Sequence, residues 1–302
     1  MGTDAHGNGN GNGDRGGRTA GPGGPGIGTD RSAWPAAAQD VPTLAEMAEG
    51  AAQAVRQAMG GVLHGIPAGE WHETAGLVAY ATGLGLPRFN GLMVLGPDAD
   101  RATAADWLDE LAGRELPYAV LARPTGPSWV GPLTAAHGLS TVEQEPLMVH
   151  ADPEALAGHR ATRPAAGIDI EVLDPDDAAD VRLGQRLLAD GFDGPLELLG
   201  PLMAPDVLSV PGITAYVGRA GDEPCCVGLG ALTEGHVGVY NVATLPPFRR
   251  RGFGAAVTAR AVADGARAGA RTAYLQSSPM GYSVYERLGF RTAETWTCHY
   301  PG

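Results

Sequence analysis

The chain has 302 residues, 44% of them apolar, and a net charge of −13; every one of its 21 Lys/Arg positions is arginine. That charge opposes phosphate contacts, so no nucleic-acid partner is expected, and no run approaches the roughly 18 apolar residues of a membrane span. Three cysteines, two of them adjacent (Cys225, Cys226), make neither a disulfide framework nor a spaced metal cluster; no metal is expected, and a reducing cytoplasm is the expected location.

Residues 1–40 are mostly Gly, Asn, Pro and Asp. They hold too little apolar surface to offset the entropy of ordering, which predicts a disordered tail. The tail has no apolar core of a secretory signal, and His6 stands where a myristoylation site needs Ser or Thr. From Val41 the pattern changes. Leu44, Met47, Ala51, Val55 and Met59 fall at helical spacing, with Gly60-Gly61 as the expected stop. A strand over 89–95, a helix over 102–113 and a strand over 117–123 follow. A short helix then ends at His137-Gly138-Leu139, and a strand over 140–151 closes the region. The polar stretch 158–166 reads as a linker.

The second half opens with a strand over 168–173. Asp174 is the expected N-cap and Pro175 the first residue of a helix over 174–191. Strands over 213–219 and 224–234 flank a Gly-Asp turn, and a third spans 236–245. A helix over 255–269, a strand over 271–276, a helix over 282–289 and a terminal strand over 292–300 complete the chain. Interleaved strands and helices predict an α/β fold with a mixed sheet. The halves share an order of strand, helix, strand, helix, Gly-turn, strand, in which Asn90 matches Asn241 and Gly138 matches Gly289. This reads as an internal repeat.

The strongest chemical signal is LPPFRRRGFGAAV, placed between a strand and a helix. Gly252 and Gly254 allow a tight turn with no Cβ between backbone and ligand. The first N–H groups of the helix lack internal partners and face outward with the positive end of its dipole. Together they form an anion site suited to a pyrophosphate, to which Arg249, Arg250 and Arg251 add positive charge.

Arg249-x-x-Gly252-x-Gly254 resembles the R/Q-x-x-G-x-G/A acyl-CoA loop of the GNAT superfamily of N-acetyltransferases. VYERLGF, from Val284 to Phe290, is similar to that superfamily's second motif. The resemblance covers Gly167–Tyr300 directly and the first half only through the repeat. It implies two GNAT-like α/β domains in tandem, each a twisted, mostly antiparallel sheet flanked by helices. Their bounds would be a degenerate domain over 41–157, the linker 158–166, and a catalytic domain over 167–302. It further implies acetyl-CoA as co-substrate, with Tyr240–Thr244 splaying from Ala273–Gln276 to admit the pantetheine arm beside Val242, Ala243 and Thr244. The amides from Arg250 through Phe253 and Gly254 to Ala255 would hold the pyrophosphate. Ser278 stands where the family commonly has Asn, a shorter reach to the cofactor. Tyr285 matches the tyrosine that protonates the departing sulfur.

For the general base, Glu234 is the best-placed carboxylate in the linear sequence; Glu286, His236 and Cys226 have no better claim, and a base acting through water stays open. The first half lacks the arginine loop and instead has aspartates at 98, 100 and 106, so it is expected to bind no cofactor. The expected activity is acetyl transfer to a primary amine of a small molecule by direct attack. A protein amine as acceptor, or a CoA sensor without chemistry, are the alternatives, and a second copy of the chain is the candidate protein partner.

Overall fold

The computed structural model describes residues 42–158 and 167–302. The predicted tail over 1–40 and nearly all of the predicted linker lie outside them. In chain order the main elements are α1 (Leu44–His64), β1 (Glu70–Thr74), β2 (Leu77–Ala81), β3 (Asn90–Val94), α2 (Arg101–Gly113), β4 (Ala119–Ala122), α3 (Val130–Ala136), β5 (Thr141–His150), α4 (Pro153–Gly158), β6 (Ile168–Val172), α5 (Ala178–Phe192), α6 (Leu196–Leu199), α7 (Pro205–Leu208), β7 (Ile213–Ala220), β8 (Glu223–Thr233), β9 (His236–Thr244), α8 (Phe253–Arg267), β10 (Thr272–Gln276), α9 (Tyr282–Arg287) and β11 (Arg291–Tyr300).

All the strands of the described residues join one 11-stranded sheet in the order β1-β2-β3-β4-β11-β5-β10-β9-β8-β7-β6. Among the described residues, only β3–β4 and β9–β10 pair in parallel. The last strand of each half lies in the other half's sheet: β5 pairs with β10, β11 pairs with β4, and the two pair with each other along the seam. Period-two alternation splits the side chains between two layers. On one face α1 covers Met93, Leu121, Leu147, Tyr274 and Trp296, while α5 and α7 cover Val217, Val227 and Leu229. On the other face α2 and α3 pack on Leu92 and Val120, and α8 packs on Val239, Ala273 and Leu275.

Two helix ends differ from the sequence reading. α1 runs through Gly60-Gly61 to His64, because Gly60 is buried where a Cβ would touch the Trp71 ring at 3.5 Å. The extra turn is held by packing, which outweighs the helix cost of glycine. α5 starts at Ala178, not at Pro175: Asp177 caps it by accepting from the Ala179 amide at 2.7 Å, while Asp174 closes a turn onto the Asp176 amide. The β1–β2 hairpin and the short helices α6 and α7 had no periodic signal. β1 is largely exposed and β2 is buried along its whole length, so neither alternates.

Candidate active site

β9 and β10 begin side by side and then part. Their ladder pairs only His236–Gly238 with Thr272–Tyr274, although β9 continues to Thr244 and β10 to Gln276. The cause is a bulge: Val227 opposes Ala243 and Leu229 opposes Tyr240, so Asn241 and Val242 share Gly228 as their one counterpart. Asn241 takes a left-handed φ of 53° to do so, and the extra residue bends β9 away. Gly228 permits the bulge, since a Cβ there would sit 2.6 Å from Val257 of α8.

Beyond β9, a turn over Pro246–Phe248 leads to Arg250 (φ 60°) and Gly252 (φ 84°), the N-cap of α8. Gly252 is in the left-handed region where only glycine is unstrained. No side chain caps α8, so its first amides stay available to an anion. At Gly254 a Cβ would make only ordinary contacts, 3.5 Å from Thr244 Oγ1 and Val242 Cγ1. The protein's own packing therefore does not require glycine at 254; a ligand lying against that backbone would.

Between these elements lies a cleft of about 930 Å³. Val242, Ala243, Thr244, Arg249, Arg250, Gly252, Phe253, Gly254, Ala255, Ser278 and Tyr285, all singled out in the sequence, line it together. The three arginines have separate roles. Arg250 faces the cleft and is exposed. Arg249 donates to the carbonyls of Thr244 (3.1 Å) and Gly191 (2.9 Å), fastening the end of α5 to the end of β9. Arg251 is not in the lining; its guanidinium lies 5.4 and 4.9 Å from the Phe248 and Phe253 ring centroids. The sequence reading missed Arg287, Phe192 and Met280, which also line the cleft. Arg287 is one α9 position past Glu286, and no local pattern marked it as facing inward.

Tyr285 stands over the cleft from α9, its ring edge-on to Phe290 at 6.2 Å. Gly281 makes room for it: a Cβ there would lie 2.8 Å from the Tyr285 ring. Burial pushes the phenol up to about 12. Ser278 accepts from the Gly281 amide at 3.2 Å, which orders the turn before α9.

Glu234 is not brought to the site. It lies in the β8–β9 turn with φ 33°. β9 is 9 residues long, so at about 3.3 Å per residue Glu234 stands roughly 25 Å from Thr244. The expectation failed because linear proximity to a strand does not say which end of it carries the cleft. His236 also sits at that far end, its Nδ1 2.5 Å from Thr272 Oγ1. Cys226 is buried in β8, and Glu286 is exposed outside the lining. No Asp, Glu or His is among the described residues that line the cleft.

Residues 200–290, which carry β7 through α9, match the acetyltransferase (GNAT) family. The whole fold is similar to solved structures. A GCN5-related N-acetyltransferase from Kribbella flavida is 20% identical, with TM-score 0.62 over 85% of this chain and 96% of that one. A GCN5-related N-acetyltransferase-like protein from Streptococcus suis (10%, TM-score 0.53) aligns over 82% and 98% of the two chains. A GCN5-related N-acetyltransferase from Sphaerobacter thermophilus (16%, TM-score 0.51) aligns over 75% and 81%. No curated protein matches the chain. The matched family is one of acetyltransferases. Among the described residues, no helix is long and apolar enough to cross a membrane.

Proposed function

We propose that the chain is an N-acetyltransferase that moves an acetyl group from acetyl-CoA to the primary amine of a small molecule within a ternary complex. The observation that carries this reading is the parting of β9 from β10 beside an uncapped α8 N-terminus, with Tyr285 facing the same cleft. The free edge of β9 at Val242 and Thr244 offers main-chain groups to the amides of a pantetheine arm. The amides of Arg250 to Ala255 suit the pyrophosphate, with Arg250 and Arg287 as nearby cations.

The amine nitrogen attacks the thioester carbonyl, the C–S bond breaks, and the sulfur leaves as thiolate. An alkylamine of pKa about 10.4 is on the order of one part in a thousand neutral at pH 7, which costs roughly 4–5 kcal/mol. Placement of the two reactants contributes about 7–11 kcal/mol and outweighs this. With no carboxylate or imidazole in the lining, the amine gives its proton to water. Tyr285 protonates the thiolate and regains its proton from solvent. Its raised pKa makes it a weaker acid, but the same desolvated cleft raises the thiol as well, so the gap between them stays small enough for transfer.

The first half, residues 41–157, we read as a degenerate copy of the second that serves as scaffold and binds no cofactor. An amine-panel assay of thiol release, with mass spectrometry of the product, tests the function. Thiol release with acetylated product supports it; tight acetyl-CoA binding with no release across the panel would make the protein a sensor.

A further inference from the structure

The mouth between β9 and β10 has a second wall, on the sheet face away from α8. Gln276, the last residue of β10, belongs to that face: Leu275 packs into the α8 core and Tyr274 into the α1 core, and Gln276 follows Tyr274 by two. Its Oε1 accepts from Arg88 Nη2 at 3.1 Å. That bond fixes the orientation of the amide, since the flipped form would set its NH₂ against the guanidinium. Gln276 Nε2 is then left buried with no partner among the described residues, a state that folded proteins rarely leave unanswered.

Arg88 reaches this wall from the first half, in the turn Pro87–Phe89. It pairs with Glu145 of β5 at 2.8 Å, and Tyr300 also donates to that carboxylate at 3.2 Å. Among the described residues, Arg88 Nη1 has only the Cys298 sulfur, 3.4 Å away, which is a weak acceptor. The guanidinium remains 28% exposed. The loop around it packs on the second half: Leu84 and Phe89 join Tyr240 and Leu245 on the core that holds Leu229 and Ala243, and a Cβ at Gly85 would lie 3.5 Å from Leu198. Two under-used donors, one cationic and one an amide, therefore meet just past the last β9–β10 pair, on the sheet face away from α8.

We propose that Gln276 and Arg88 bind a carboxylate on the acceptor, so that the acetylated molecule is a small amino-carboxylate of the amino-acid type. The assignment rests on the acetyltransferase reading above. A carboxylate answers both donors at once, charge-assisted at Arg88 and by hydrogen bond at Gln276. Glu145 holds the guanidinium in place and offsets its charge.

The test uses the full chain and a panel of α-amino acids, each beside its carboxamide and its decarboxylated amine. Wild-type protein should acetylate the acids with kcat/KM about tenfold or more above the matching amides and amines. Gln276→Leu should raise KM for the acids about tenfold, leave KM for the decarboxylated amines in place, and bind acetyl-CoA as before. Arg88→Lys, which retains the charge but not the fork, should act in the same direction. Equal use of acids, amides and amines by the wild type overturns the proposal, as does a Gln276→Leu change that moves all three alike. If acetyl-CoA binds but nothing in the panel releases thiol, the acetyltransferase reading fails. Calorimetry on CoA-loaded protein then decides this site separately. Binding of acids that Gln276→Leu abolishes supports it, and no binding of acids overturns it.

Discussion

α2 and α8 occupy matching places in the two halves, each starting from a loop at the end of a parallel strand, yet their N-termini are opposite in character. At α2, Asp100 accepts from the Thr103 amide (2.7 Å) and hydroxyl (2.9 Å), and those hydrogen bonds hold its carboxyl below the usual range. The helix already carries its own anion. At α8 the cap is Gly252, with no side chain to offer, and Arg250 stands beside it. The strands differ in the same sense. β3 stays paired with β4 from Gly91 to Val94, with the Ala119 carbonyl so close to Gly91 that a Cβ would fall 1.7 Å away. β9 is bulged and released from β10 after Gly238. On the function proposed above, a closed ladder plus an internal cap would leave no room and no charge for acyl-CoA, and a bulge plus a bare helix end would provide both. The two halves thus differ by a bulge and one residue at the helix cap, and the proposed division into scaffold and site rests on that difference.

Breaking the open half should have the largest effect. Gly252→Val places a β-branched residue at φ 84° and a side chain over the α8 amides. Acetyl-CoA affinity by calorimetry should fall by about 100-fold or more, while the buried face of α8 keeps the protein folded. Unchanged affinity would sink the site.

Tyr285→Phe should lower kcat by about 10²–10⁴-fold with acetyl-CoA affinity nearly constant. A weakened affinity with kcat intact would make the hydroxyl an anchor for the cofactor. A change below about twofold in both would make Tyr285 a packing residue.

One substitution made in each half separates scaffold from site. Gly91→Ala should cost on the order of 3–5 kcal/mol by denaturant unfolding, because its Cβ meets backbone that cannot move without opening the β3–β4 ladder. Gly254→Ala should leave stability within about 1 kcal/mol yet weaken acetyl-CoA binding, since only the ligand needs that space. The reverse pattern would mean that the functional halves have been assigned the wrong way round. In the same vein, calorimetry should find one acetyl-CoA per chain, and a stoichiometry of two would show the first half to be open.

The smallest effect is on pH. Tyr285, pushed up to about 12 by burial, stays protonated and able to donate up to that pH. The rate should rise with pH as the amine loses its proton and show no descending limb below about pH 10. A downturn near pH 8 that disappears in Tyr285→Phe would contradict a donor with so high a pKa.

The sequence by itself determined most of the second half. β7 to β9, α8, β10, α9 and β11 follow from alternation, helical spacing and glycine turns, and the left-handed Gly138 and Gly289 both follow the helices they were expected to end. The proposed acyl-CoA loop was legible because it is local: glycines, a helix start and a preceding strand are contiguous in the chain. Whatever depends on partners distant in sequence was not legible. Glu234 looked well placed because it adjoins β9, but the β9–β10 ladder starts at that end and opens at the other. Arg249 and Arg251 read as phosphate ligands, and their contacts with Gly191 and with the two phenylalanine rings had no local signal. Arg88 and Gln276 are 188 positions apart and meet only because β5 and β11 trade places at the seam of the sheet. Local pattern fixes which segments become strands and where an anion can bind. Which strands pair is decided by tertiary packing, because every strand edge offers the same N–H and C=O groups, and only the buried side chains of the assembled layers tell one edge from another.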